Sequence, residues 1–264
     1  MLEIKHVSKT FNPGTVTEKK AIQDLNLVIE DGQFVTVIGG NGAGKSTLLN
    51  LIAGVYPPDC GKIILDNKDI SLLPEHKRAA YIGRVFQDPL RGTAADMEIS
   101  ENLAFATRRG KSRTLRWGQT KDEKQQYHDL LAPLGLGLED RLHTKMGLLS
   151  GGQRQALTLL MASLKKPELL LLDEHTAALD PLTAKKVLDL TKRIVEKDNL
   201  TTLMITHNMK DAIRLGNRLI MMYDGKIIFD VSGEEKAALT VEDLHQKFKE
   251  AAGQEFSDDR AVLI

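Results

Sequence analysis

The chain has 264 residues, 42% of them hydrophobic, enough to fill the core of one large α/β domain with insertions. Lys and Arg together number 36, as do Asp and Glu, so the net charge is zero and no global basic footprint for nucleic acid exists. No apolar run approaches the roughly 20 residues that span a bilayer, nothing resembles a signal peptide, and the lone Cys60 excludes an intrachain disulfide, so a cytosolic location is expected.

In chain order, residues near 1–90 mix β patterns with one helix. Phe34-Val35-Thr36-Val37-Ile38 reads as a buried strand opened by the turn Asp31-Gly32. Directly after it comes Gly39-Gly40-Asn41-Gly42-Ala43-Gly44-Lys45-Ser46-Thr47, which fits the P-loop pattern of Gly, four residues, Gly, Lys, then Ser or Thr. Leu48, Leu49, Ile52 and Ala53 then recur at helical spacing, which completes the order strand, loop, helix. A helix start carries unpaired N–H groups and a partial positive charge, and glycines let the backbone wrap an anion, so the segment is expected to cradle the phosphates of ATP. By the mechanics of this motif, Lys45 reaches the β- and γ-phosphates, the Ser46 hydroxyl meets Mg²⁺, and Thr47 offers a further donor. Lys62 to Asp66 reads as another strand.

Residues about 91–148 lack strand signals and, with the helix that follows to about 160, read as a helical subdomain. Arg108, Arg109, Lys111, Arg113, Arg116 and Lys121 form a basic cluster around Trp117, open to two readings, a solvated face or a contact with anionic headgroups. Leu149-Ser150-Gly151-Gly152-Gln153 precedes Leu157, Leu160, Met161 and Leu164 at core-facing helical spacing, so Ser150 and the two glycines open a helix. Ser150 is either a second phosphate donor or a plain N-cap.

Leu169 to Leu172 fit a central parallel strand buried on both faces, with Asp173 and Glu174 emerging at its carboxyl end, where open α/β sheets bind ligands. Asp173 is placed to hold the Mg²⁺ shell and Glu174 to polarise the attacking water; the alternative for two acids after a strand is a solvated turn. Asp180-Pro181 is a helix start with an N-cap acid and proline at the first position. Thr201 to Thr206 reads as a strand leading into His207. Asp224-Gly225, between Arg218–Tyr223 and Lys226–Asp230, signals a hairpin, and Gly216 ends the short helix before it. Thr240 caps a last amphipathic helix, with Val241, Leu244, Phe248 and Ala251 at helical spacing and an end near Gly253; its apolar face either packs on the core or self-associates. Residues 254–264 carry no interpretable signal.

The P-loop, Leu149-Ser150-Gly151-Gly152-Gln153-Arg154, the Leu-rich strand ending in Asp173-Glu174, Ala178-Leu179-Asp180 and Thr206-His207 stand in the order and spacing of ABC-type ATPases. The chain closely resembles the nucleotide-binding subunit of an ABC transporter from about Leu2 to about Asp230, and the Ser-Gly-Gly-Gln motif is specific to that superfamily among P-loop proteins. The resemblance implies an α/β fold with a RecA-like P-loop NTPase core sheet, an antiparallel β subdomain and a helical signature subdomain, with residues 1–240 as the ATPase domain and 241–264 as helix and tail.

It further implies that Phe11 stacks on adenine, with a strand-end core position as the other reading, and that Gln87 senses Mg²⁺ and the attacking water, the alternative being an ordinary loop amide. Ser150, Gly151, Gly152, Gln153 and Asp180 would act in trans on ATP bound by a partner subunit, and His207 would contact the γ-phosphate. A head-to-tail homodimer with two ATP sites, docked on separate permease subunits at the inner face of the membrane, is implied by the same likeness. An extracytoplasmic binding protein and import of a small solute such as an amino acid are the finer expectations. A soluble ATPase of a cytosolic assembly scaffold, such as that of iron–sulfur cluster assembly, is the alternative. One departure stands in the motifs: His175 replaces the proline that usually comes after the glutamate, adding a group that can titrate near neutral pH.

Overall fold

The computed structural model describes residues 1–110 and 120–261. The elements run β1 (Leu2–Phe11), β2 (Lys19–Ile29), β3 (Phe34–Gly39), α1 (Lys45–Ala53), β4 (Cys60–Leu65), β5 (Lys68–Asp69), α2 (Glu75–Arg78) and β6 (Ile82–Val85). Then come α3 (Ile99–Thr107), α4 (Lys121–Leu131), α5 (Gly151–Ser163), β7 (Leu169–Asp173), α6 (Pro181–Asp198) and β8 (Thr202–Ile205). The chain closes with α7 (Met209–Arg214), β9 (Arg218–Tyr223), β10 (Lys226–Ser232), α8 (Gly233–Ala237) and α9 (Val241–Ala261). The described residues form two compact units, 1–72 with 203–261, and 73–110 with 120–202.

The first unit holds an antiparallel sheet in the order β2-β1-β4-β5, and strands in the order β10-β9-β3-β8. Strand β3 runs parallel to β9, with Val37 opposite Ile220, and all of Phe34 to Ile38 is buried, as the apolar run requires. Asp224 and Gly225 both adopt positive φ, 39° and 72°, the two-residue turn whose twist matches a hairpin, and β9 pairs with β10 from Tyr223 and Lys226 outward. Lys236 closes the end of α7 by donating to the carbonyls of Ile213, Leu215 and Gly216. Ile38, Ala212, Leu219, Met221 and Leu244 form a shared core, with Phe248 packed against it. The apolar face of α9 therefore packs on its own unit. Thr240 caps the helix, exchanging bonds with Asp243. The helix does not end near Gly253, as the sequence led us to expect, but runs to Ala261. One helical glycine costs only about 1 kcal/mol, and the helix formers around it offset that loss.

In the second unit, β6 and β7 are parallel neighbours, with Arg84 opposite Leu171. Among its described residues, the stretch between β6 and β7 holds helices joined by turns and no strand, apart from one isolated bridge, Glu98 to Lys145. Ile99, Leu103, Tyr127, Leu131, Leu138, Met146, Leu157 and Leu160 form its core. Lys111, Arg113, Arg116 and Trp117 of the basic cluster lie outside the described residues. Of its other members, Arg108 pairs with Glu123 at 3.1 Å, and Arg109 turns inward to donate to the Ala162 carbonyl at 3.1 Å. Among the described residues, no helix is long and apolar enough to cross a membrane.

Candidate functional site

In the first unit the site is built around the start of α1. Its N-cap is Gly44 at φ 98°, no side chain caps the helix, and its first turn contains no acid. A Cβ at Gly44 would stand 2.5 Å from the Ala21 carbonyl oxygen, so both conformation and space demand glycine there. Lys45 curls back over the loop and donates to the carbonyls of Gly39 at 2.7 Å and Gly40 at 2.9 Å, which holds its ammonium inside the ring of backbone. Asn41, Gly42 and Ser46 are exposed, Thr47 is half-buried, and Ala43 is buried. The result is an anion cradle: a helix start without an internal acceptor, with a full positive charge at its centre.

Two residues that no motif flagged, Lys19 and Tyr56, lie against the loop and against Phe11 respectively. Lys19 lies opposite Phe11 in the β1–β2 pairing, and its Nζ sits 3.0 Å from where a Cβ on Gly42 would be. That pairing places Phe11 at the strand end beside the cradle, half-buried and outside the core. Tyr56 meets the Phe11 ring at a centroid distance of 5.2 Å and an interplanar angle of 79°, an edge-on packing that fixes the ring. Neither contact could be read from spacing, because each depends on β register or on a loop after α1. His207 is exposed directly after β8, and Asn208 caps α7 behind it through the amides of Lys210 and Asp211.

In the second unit, Leu169 to Leu172 are fully buried and deliver Asp173 at the carboxyl end of β7. Gln87 is exposed just past the carboxyl end of the neighbouring parallel strand β6, so the amide and the two acids emerge at the same edge. Arg84 approaches Asp173 at 3.5 Å and lies over the Phe86 ring at 4.5 Å. Glu174 has φ 43°, a left-handed conformation that costs a residue with a Cβ on the order of 1 kcal/mol. The chain then turns, with Ala177 N–H on the Glu174 carbonyl at 2.9 Å, and reaches Asp180, whose carboxylate caps α6 through the Thr183 amide at 3.1 Å. That contact with Thr183 holds the Asp180 carboxyl below its ordinary range.

His175 does not titrate near neutral pH. It is buried, its Nε2 lies 3.0 Å from Thr191 Oγ1, and burial pushes its pKa down to about 4.

Ser150 caps α5 in a reciprocal box: its hydroxyl accepts from the Gln153 amide at 3.3 Å, and its own amide donates to the Gln153 side chain at 3.2 Å. The hydroxyl proton remains a donor, so capping and phosphate binding are compatible. A Cβ on Gly152 would come within 2.1 Å of Thr183 Cγ2, and one on Gly151 within 3.2 Å of Leu179. The signature glycines thus let α5 approach the turn that carries Asp180.

A family model for ABC transporters matches residues 22–177. The chain is similar to the tyrosine transport ATP-binding protein of Clostridioides difficile (strain R20291), 47% identical over 252 residues that cover 95% of this chain and 100% of that protein. It is 34% identical over 235 residues to the spermidine/putrescine import ATP-binding protein PotA of Haemophilus influenzae, covering 89% of this chain and 59% of that relative's length. Among solved structures it resembles the dimeric post-hydrolysis state of the ATP-binding cassette MJ0796 bound to ADP and Pi, with TM-score 0.74 and 29% identity, covering 88% of this chain and 98% of that one. With the P-loop fold, the uncapped phosphate cradle and the signature helix in place, the chain belongs to the ABC transporter family, as an ATP-binding subunit whose hydrolysis of ATP is coupled to transport.

Proposed function

We propose that this subunit drives import of an aromatic amino acid such as tyrosine, as a head-to-tail homodimer beneath two permease subunits at the inner face of the membrane. The observation that carries the nucleotide chemistry is the uncapped start of α1 with Lys45 folded into it. The 47% identity to a tyrosine transport subunit, over that protein's whole length, supports the solute class. The import role of PotA supports the direction. An extracytoplasmic binding protein would present the solute to the permease. Residues 1–240 would form the ATPase domain, with about 91–160 as its helical part and the C-terminal helix appended.

The residue roles rest on donor chemistry. Phe11 stacks on adenine, and Gly39 to Thr47 wrap the phosphates, with Lys45 on the β- and γ-oxygens. Ser46, Asp173 and Gln87 offer hydroxyl, carboxylate and amide oxygens, a donor set that suits Mg²⁺, which when bound would offset charge on the phosphates. Glu174 accepts a proton as water attacks the γ-phosphorus; the bond to the β–γ bridging oxygen breaks, leaving ADP and phosphate. His207 holds the γ-phosphate, while Ser150, Gly151, Gly152, Gln153 and Asp180 of the partner close over it.

Glu174→Gln tests this reading. The amide keeps hydrogen bonding without the base, so turnover is expected to fall by roughly 10²-fold while ATP still binds, and dimers should accumulate with MgATP in size-exclusion chromatography. Cells carrying only this variant should lose uptake of labelled tyrosine. Near wild-type turnover would unseat Glu174, whereas intact tyrosine uptake on deletion of the gene would favour a soluble scaffold ATPase.

A further inference from the structure

Next to the proposed base, the chain makes a buried side-chain contact to a neighbouring helix. Glu174 sits in the left-handed region, and its carbonyl accepts from the Ala177 N–H at 2.9 Å, so the residues after it help to define its backbone. The first of these, His175, has no ring closing on its own nitrogen, and its φ is unconstrained by covalent geometry. Its imidazole instead runs into the unit's interior, where Nε2 lies 3.0 Å from Thr191 Oγ1 on α6. Both side chains are buried.

The direction of that bond can be worked out. Thr191 Oγ1 donates its proton to the Val187 carbonyl at 2.9 Å, one turn back on its own helix. A hydroxyl has one proton, so toward the imidazole it can only accept, and His175 must carry its proton on Nε2. The Val187 contact therefore orients the acceptor, and the acceptor fixes the ring. At the other end of the same segment, Asp180 is bound to the Thr183 amide. Thr183 and Thr191 are eight residues apart, about 12 Å along a helix that rises 1.5 Å per residue. The segment from Glu174 to Asp180 is thus clamped to α6 at both ends.

We propose that His175 is a positioning residue for hydrolysis, its bond to Thr191 fixing the Glu174 backbone, and hence its carboxylate, relative to α6. This rests on the reading of Glu174 as the group that activates water. A loosened clamp leaves the carboxylate chemically intact and misplaced, and misplacement by an ångström lowers the chemical step with little effect on binding.

Three variants of the full-length protein separate positioning from simple stability. Thr191→Val removes the acceptor at nearly constant shape and should lower kcat by roughly 10- to 100-fold, with KM for ATP little changed. Thr191→Ser retains the hydroxyl and should recover most of that loss. His175→Leu with Thr191→Val leaves neither partner orphaned, so its melting temperature should return toward wild type. Its kcat per ADP-titrated site should nevertheless stay low. Recovery of kcat together with melting temperature in the double variant would overturn the proposal, as would an unchanged kcat in Thr191→Val. Glu174→Gln is measured alongside: an inactive Glu174→Gln with fully active Thr191 and His175 variants sinks the clamp alone, and an active Glu174→Gln sinks the base and the clamp together.

Discussion

At the start of α1 the cap is Gly44, with no side chain bonded to the helix end, whereas at the start of α5 the cap is Ser150, locked with Gln153 in a reciprocal box. Both helix ends present glycine-rich backbone and a partial positive charge, yet one has no internal competitor for an anion and the other already satisfies its third amide. Lys45 adds a full charge to the first, while Arg154 beside the second spends its guanidinium on the carbonyls of Met146, Gly147 and Leu149. The first cradle is equipped to bind phosphate on its own. The second can add only the remaining amides and one hydroxyl proton, a contribution that matters once another group has brought the phosphate to it. This asymmetry fits a site assembled from the α1 start of one chain and the α5 start of another.

The largest expected effect tests that division of labour. Lys45→Ala damages a chain's own cradle, and Ser150→Arg blocks the cradle it offers to a partner, so each variant alone should lose roughly 10²-fold or more in turnover. Co-expressed with different tags and purified through both, they form mixed dimers in which both lesions fall in one site and the other site is wild type. Partial activity should return. A mixed dimer of wild type with Lys45→Ala controls for strict coupling between sites; if that control turns over and the doubly mutant mixture does not, the two helix starts do not share a nucleotide.

A smaller effect concerns the turn that the α5 glycines approach. His175 has a folded pKa of about 4 against an ordinary 6.5, so the folded state binds fewer protons below pH 6.5. Above that pH the group contributes no pH dependence; as pH falls from 6.5 toward 4, stability is progressively lost. Between pH 7.5 and pH 5 the loss amounts to about 2 kcal/mol. Urea titrations at the two pH values should show it, and His175→Leu should flatten the difference. An equal slope in the variant would assign the acid sensitivity to other groups.

What could be read without coordinates was contiguous chemistry. The P-loop, the four leucines before Asp173 and the Ser-Gly-Gly-Gln helix each state strand, turn or helix within a dozen residues, and β3, β7 and α5 formed where that pattern put them. Most of the missed features depend on long-range pairing. Arg84 meets Asp173 only because β6 and β7 lie side by side, and Lys19 reaches Gly42 only through the β1–β2 hairpin. His175 looked like a titrating group because an unperturbed imidazole titrates near neutral pH; what buries it involves Thr191, sixteen residues away on α6. The end of α9 was misplaced for a different reason, since a glycine stops a helix only where the backbone also leaves it.

The smallest effect separates the two things Ser150 can do. As a cap, its oxygen satisfies the Gln153 amide, and Ser150→Ala removes that acceptor at a cost of about 1 kcal/mol. Ser150→Gly also removes it, but glycine lets water and backbone adjust at the helix start, and caps of that kind lose only a few tenths of a kcal/mol. Stability should therefore rank serine, then glycine, then alanine. Turnover obeys a different rule if the hydroxyl proton also meets a partner's γ-phosphate, because both variants lack that donor and both should slow to a similar extent. Thermal melts and steady-state ATPase on the same preparations decide the matter. Turnover that tracks melting temperature, with glycine nearly as active as serine, would reduce Ser150 to a cap and leave the amides of Gly151 and Gly152 as the whole of the second cradle.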